Sequence, residues 1–186
     1  MNKGVSGLAF ADQKTYTTKD IYQLPEGQRG ELIDGQLYMM APPSRQHQEI
    51  AGELFGTIRD YIRKNKGPCR AYIAPFAVFL NADDKNYVEP DICVICDSSK
   101  LNDRGCDGAP DWIIEVVSPG SYRMDYMIKL FKYRTAGVRE YWIVDKQRDR
   151  ILVYNFEHDT MEEFTFKDKV KSGIYNDMEI DFNEIM

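Results

Sequence analysis

The sequence predicts an α/β chain of the α+β kind: a mixed β-sheet flanked by helices, with an N-terminal hairpin and a long helix ahead of it. Three observations carry that expectation. Asp34-Gly35 separates two short runs of strand-forming residues, a strong hairpin signal. Ile50, Leu54, Ile58 and Ile62 recur at helical spacing. Further on, short apolar runs rich in β-branched and aromatic residues alternate with one more helical pattern.

In chain order, residues 1–16 read as a loose leader and residues 17–186 as one domain. Thr17-Thr18-Lys19-Asp20 can cap a short helix ending near Leu24-Pro25. Arg29 to Ile33 and Gln36 to Met40 form the hairpin arms. Ser44 caps a helix to about Asn65, which Gly67-Pro68 ends, and Ala51, Phe55 and Tyr61 flank its apolar stripe. Arg70 to Leu80 reads as one bent strand or two, because Pro75 interrupts it. Tyr87 to Cys96 is the next strand, and residues 97–110 form a polar loop long enough to be functional. Asp111 to Val117 follows as a strand, then a turn at Ser118-Pro119-Gly120 and a helix from Ser121 to Ala136 closed by Gly137. Strands at Arg139 to Asp145, Ile151 to Phe156 and Met161 to Phe166 complete the pattern; the tail from Ile174 fits no single element.

Composition bounds the function. The chain has 186 residues, 43% of them hydrophobic, and a net charge of -6. It therefore presents no overall basic field to nucleic acid, although a local basic cleft remains compatible. No glycine-rich phosphate loop or dinucleotide fingerprint is present, which argues against a nucleotide-binding enzyme. Val5 to Ala11 is too short and too weakly charged at its start to serve as a signal peptide. No apolar run reaches transmembrane length, so the expected location is the cytoplasm, with no membrane partner. Cys93-x-x-Cys96 resembles half a zinc site, but residues i and i+3 of a strand point to opposite faces. The cysteines are therefore expected as buried, reduced thiols.

Two carboxylates are out of place. Glu115 sits inside the apolar run Trp112 to Val117, and Asp91 opens Ile92 to Cys96 directly after Pro90. An unpaired ion in such an interior costs on the order of several kcal/mol. Strand alternation puts Asp91, Cys93 and Ile95 on one face, and Ile113, Glu115 and Val117 on one face of the other strand. If the strands pair, the two acids converge. Either a nearby Arg or Lys neutralises them, or a divalent cation does. Mg²⁺ suits one or two carboxylates completed by water and a phosphate, and it lowers the pKa of a bound water.

On the helix after Glu115, Asp125, Lys129 and Lys132 or Tyr133 make a polar stripe. Lys129 can aim its ammonium at the acids, orienting an attacking water and stabilising an anionic transition state. The alternative is an ordinary surface pair with Asp125. Arg59 and Arg63, with Lys64, Lys66 and Arg70 nearby, can meet nucleic-acid phosphates or simply form a solvated helix end. Tyr141-Trp142 reads as core rather than a stacking platform, and His158 as solvated surface.

In order, Glu31-Leu32-Ile33-Asp34-Gly35, Pro42 through Ser44 with His47, Glu89-Pro90-Asp91-Ile92, Gly108 through Pro119, Asp125-x-x-x-Lys129 and Gly137 through Asp145 resemble the PD-(D/E)xK nuclease superfamily. Within it they look most like the Uma-two family of restriction endonucleases, over residues 16 to 180. The resemblance implies a restriction-endonuclease-like fold and a Mg²⁺- or Mn²⁺-dependent endonuclease acting on nucleic acid, DNA in the first place. Pro90-Asp91 matches the PD element and Glu115 the second acid, making Asp91 and Glu115 the implied metal ligands. Val117 stands where the superfamily pattern has lysine; the resemblance implies a lysine supplied by the next helix, and Lys129 matches it. Glu31, His47 and Asp125 are implied as supporting residues. Glu31 either completes the metal shell or is an acid hydrogen-bonded near the hairpin, and His47 either contacts a phosphate or holds Glu31. A nuclease-fold binding module without turnover, or a hydrolase of small phosphodiesters, stays open, as does assembly into a homodimer.

Overall fold

The structure, a computed structural model, describes residues 14–185. Most of the expected leader, with the Val5 to Ala11 stretch, lies outside the described residues. Thr17 and Asp20 close a capping box on helix α1 (Thr18–Tyr22), and the Tyr16 N–H donates to the Gly35 carbonyl. Strands β1 (Arg29–Ile33) and β2 (Gln36–Met40) pair in the expected register, Ile33 opposite Gln36. Asp34 and Gly35 both take positive φ, 51° and 76°, as a two-residue turn matching strand twist requires.

Helix α2 (Arg45–Lys64) begins where the Ser44 side chain accepts the His47 N–H, and it buries Ile50, Ala51, Leu54, Ile58 and Ile62. The predicted stripe and both helix ends are observed. Arg70 to Leu80 splits into β3 (Arg70–Ile73) and β4 (Val78–Phe79) on either side of a cis Ala74-Pro75 bond. The next strand is shorter than expected. Tyr87 bridges Leu32 and Val88 bridges Val78, so only Ile92–Ile95 remains as β5. The segment expected as a polar loop holds a 3₁₀ turn and two short strands, β6 (Leu101–Asn102) and β7 (Gly105–Asp107). With β4 they make a small sheet.

Strands β8 (Trp112–Val116), β9 (Glu140–Asp145), β10 (Arg150–Asn155) and β11 (Thr160–Phe164) join β5 and β3 in a six-stranded sheet ordered β11-β10-β9-β8-β5-β3. Only β8 and β9 run parallel. The expected helix from Ser121 opens as a π-helical turn (Met124–Lys129) before helix α3 (Leu130–Ala136), which Gly137 ends at φ 93°. The tail supplies β12 (Lys169–Lys171) and β13 (Glu179–Asp181).

Two cores result. Ile92, Val94, Trp112, Ile114 and Val116 meet α2 and the C-terminal residues Val170, Ile180 and Phe182. Cys93, Ile95 and Ile113 face Tyr133, Tyr141 and Val138 on the other side. Alternation along β8 therefore points Glu115 into the second core.

The expectation of reduced cysteines is corrected at two positions. Arg70 pairs with Ile95, so Cys69 and Cys96 lie opposite each other one step further out, and they form a disulfide. Cys93 and Cys106 are free and buried. Cys93 and Cys96 do face opposite sides of the sheet. Among the described residues, no helix is long and apolar enough to cross a membrane.

Candidate active site

The pairing of Ile92 with Ile114 places Asp91 and Glu115 opposite each other where β5 and β8 begin to part. The backbone locks them together. Asp91 N–H donates to Glu115 Oε2 at 3.3 Å, and Val116 N–H donates to Asp91 Oδ2 at 2.8 Å. Asp91 is partly exposed, whereas Glu115 is 3% exposed. The two acids converge on one edge, as strand alternation predicts.

Lys129 arrives from the π-helical turn and is itself buried. Its Nζ lies 2.9 Å from Glu115 Oε1 and 2.9 Å from Glu31 Oε2. Tyr133, one turn on, donates its hydroxyl to Glu115 Oε1 at 2.7 Å. Glu31, on β1, also accepts the Glu89 N–H at 2.9 Å. Asp125 is buried in the same π-helical turn and accepts from the Ser121 hydroxyl at 2.5 Å. The surface-pair reading of Asp125 and Lys129 is thereby corrected: both face inward, and the ammonium bonds Glu31 and Glu115. His47, in the first turn of α2, reaches Asp91 Oδ2 with Nε2 at 3.0 Å. It holds Asp91 and not Glu31.

The charges do not balance. Glu31, Asp91, Glu115 and Asp125 face Lys129 and His47. Burial holds the Glu115 carboxyl well above the usual range; Lys129 opposes this, but the fields of Asp91, Asp125 and Glu31 reinforce it. Burial also pushes Asp125 up to about 6. Burial disfavours the Lys129 ammonium, yet the surrounding carboxylates override it and keep the group protonated. Burial likewise works against a charged His47, but the hydrogen bond to Asp91 and the fields of Asp91 and Asp125 together outweigh it, raising its pKa.

The model of the family described as "Uma2: Putative restriction endonuclease" matches residues 18–174. The chain belongs to this family. A crystal structure of "a putative nuclease belonging to DUF820 from Anabaena variabilis ATCC 29413" has the same fold, at TM-score 0.73 and 20% identity over 91% of this chain and 96% of that one. No curated protein matches the sequence.

The donor set of this Uma2 chain fits a hard divalent cation. Asp91 and Glu115 present carboxylate oxygens at one partly open edge, and Asp91 Oδ1 has no hydrogen-bond partner among the described residues. The excess of acids adds a net attraction for a cation. Among the described residues no three His, Cys, Asp or Glu side chains form a ready metal cage. Two protein carboxylates with water and phosphate completing the shell is the arrangement Mg²⁺ favours.

Arg59, Arg63 and Lys66 are not brought to this site. Arg59 and Arg63 lie at the other end of α2 from His47, about 18 and 24 Å away at 1.5 Å per residue, and Lys66 follows just beyond the helix. His158 is exposed and bonded to Asn155. Tyr141 and Trp142 are fully buried, as expected of core. Sequence reasoning missed the hydroxyls of Tyr133 and Ser121 as partners of the acids. The signal for Ser121 was its i, i+4 spacing to Asp125.

Proposed function

We propose that this Uma2 chain is a divalent-metal-dependent endonuclease that hydrolyses phosphodiester bonds of DNA. One observation carries the reading: Asp91 and Glu115 oppose each other across β5 and β8, with the Lys129 ammonium bonded to Glu115. Asp91 and Glu115, with the Val116 carbonyl as a further oxygen donor, would hold Mg²⁺ or Mn²⁺. Bound there, the ion supplies a lowered water pKa and charge stabilisation at the scissile phosphate.

The chain's own residues do the rest. Lys129 stays protonated, so it cannot remove a proton from water. It orients the attacking water by donating to it and offsets the negative charge that grows on the phosphate oxygens. Glu31 steadies the Lys129 ammonium from the opposite side. Tyr133 fixes the rotamer of Glu115, and His47 fixes that of Asp91 through Oδ2. Asp125 adds to the field that keeps Lys129 charged. The test is cleavage of supercoiled and linear DNA, and of RNA, with Mg²⁺ or Mn²⁺. Asp91→Ala should abolish cutting, and undiminished cutting by that variant would remove Asp91 from the site.

A second reading, a nuclease-fold binding module without turnover, is favoured by the saturation of Glu115 by Lys129, Tyr133 and the Asp91 N–H. Calorimetric titration with Mn²⁺ separates the two. Heat that Glu115→Gln abolishes supports the enzyme, whereas a folded protein that takes up no ion supports the module.

A further inference from the structure

At the end of α2 remote from His47 the surface forms an open concavity of about 470 Å³. Arg59 and Arg63 reach it from successive turns of the helix, Lys66 from the chain leaving the helix, and Arg70 from the start of edge strand β3. Ile62 and Cys69 lie between them, and the Cys69–Cys96 disulfide pins this end of β3 to β5. No carboxylate lines the concavity, although the chain has 30 acidic against 24 basic residues.

The state of two of these arginines, Arg63 and Arg70, is unusual for this molecule. Among the described residues, every arginine outside the concavity except Arg123 is ion-paired. Within it, Arg63 and Lys66 have no carboxylate partner, and Arg70 bonds only the Pro68 and Cys69 carbonyls. Arg59 holds Asp60, which is itself exposed. Complementing the helix dipole accounts for Arg63 in the last turn, but not for Arg70 on a strand or Arg59 further back. Arg63, Lys66 and Arg70, gathered without carboxylate partners, repel one another, a cost that a bound anion relieves.

We propose that this concavity is a phosphate cradle that grips the nucleic-acid backbone away from the scissile bond. The inference rests on the nucleic-acid reading above and adds a distance to it. The guanidinium forks suit phosphate oxygens, which accept two parallel hydrogen bonds. Arg59 and Arg63 stand about 18 and 24 Å from His47 along α2. At about 3.4 Å per base pair, the gripped phosphates lie about 5 to 7 base pairs from the cut in a duplex running along the helix.

The test is fluorescence anisotropy of a labelled DNA duplex of about 20 base pairs in EDTA, repeated across a salt series. Removing one cation that neutralises a phosphate should lower the slope of log Kd against log salt by about 0.9, so the double variant Arg63→Gln, Lys66→Gln should lower it by about 1.8. Lys19→Gln, an exposed lysine on α1, should leave the slope unchanged. Circular dichroism checks that the variants stay folded. A double variant with the wild-type slope, an equal drop in Lys19→Gln, or a wild type that does not bind would overturn the cradle. The two readings fail separately. Wild-type protein that binds with the expected slope but never cuts with Mg²⁺ or Mn²⁺ sinks the endonuclease and leaves the cradle standing. Wild-type protein that cuts, with a slope the double variant does not change, sinks the cradle alone.

Discussion

Replacing Lys129 with Met removes the ammonium between Glu31 and Glu115 while keeping a side chain of similar length. All three residues are under 5% exposed, so neither acid can recover its loss from bulk water. Breaking a buried ion pair from one side costs about 3–5 kcal/mol, a large share of the about 5–15 kcal/mol that holds a typical domain folded. The cost has a pH signature. Burial already holds the Glu115 carboxyl well above the unfolded value of about 4.3, and removing the ammonium that opposes this raises it further. Such groups contribute stability that is present below the unfolded pKa and lost as pH rises through the folded one. The gap between Lys129→Met and wild type should therefore be smaller near pH 5 than at pH 7.5, widening as pH rises. Urea denaturation in EDTA, followed by the fluorescence of the buried Trp112 and Trp142, measures it at both pH values. A variant as stable as wild type at pH 7.5, or a gap that does not change with pH, would refute the view that Lys129 is the counter-charge of this core.

Tyr133→Phe keeps the ring packing and removes one hydrogen bond to a carboxylate, so it should cost about 1.5–3 kcal/mol in the same denaturation assay. Glu140 is fully buried, accepting from the Trp142 indole and the Gly173 N–H, and burial pushes its carboxyl up to about 7. Stability from this group should fall as pH climbs from about 4.5 to about 7, by up to about 3 kcal/mol, and Glu140→Gln should flatten that slope in thermal melts. Reducing the Cys69–Cys96 bond, which spans a sequence separation of 27, should cost about 3.6 kcal/mol on the chain-entropy account, and thiol titration should find two protected cysteines before reduction.

Elements whose signals are local were legible in the sequence. The hairpin at Asp34-Gly35 and helix α2 between Ser44 and Asn65 come out to the residue, because turn and cap chemistry sit at their ends. The convergence of Asp91 and Glu115 was legible too, since it needs only alternation and the pairing of two neighbouring strands. Features fixed by distant partners were not. Tyr87 and Val88 leave the expected strand because Leu32 and Val78 claim their backbone. The 3.6-residue pattern after Ser121 reads as plain α-helix, and the π-helical turn that aims Lys129 inward leaves no mark in it. The Cys69–Cys96 bond depends on register across β3 and β5, which spacing alone does not supply. His47 had no visible partner because Asp91 lies on another element altogether.

The Lys129–Glu31 contact joins residues 98 positions apart, and that separation has a temporal meaning. A ribosome adding about 5–20 residues per second exposes Glu31 roughly 5–20 s before the lysine that neutralises it is made. Throughout that interval the nascent segment carrying Glu31, and later those carrying Asp91 and Glu115, must keep their acids hydrated, so the layer around these acids has to stay open to water. The candidate site therefore cannot close before α3 has been translated, nor the core before the strands that follow it, and a chain truncated before Lys129 should neither fold nor cut.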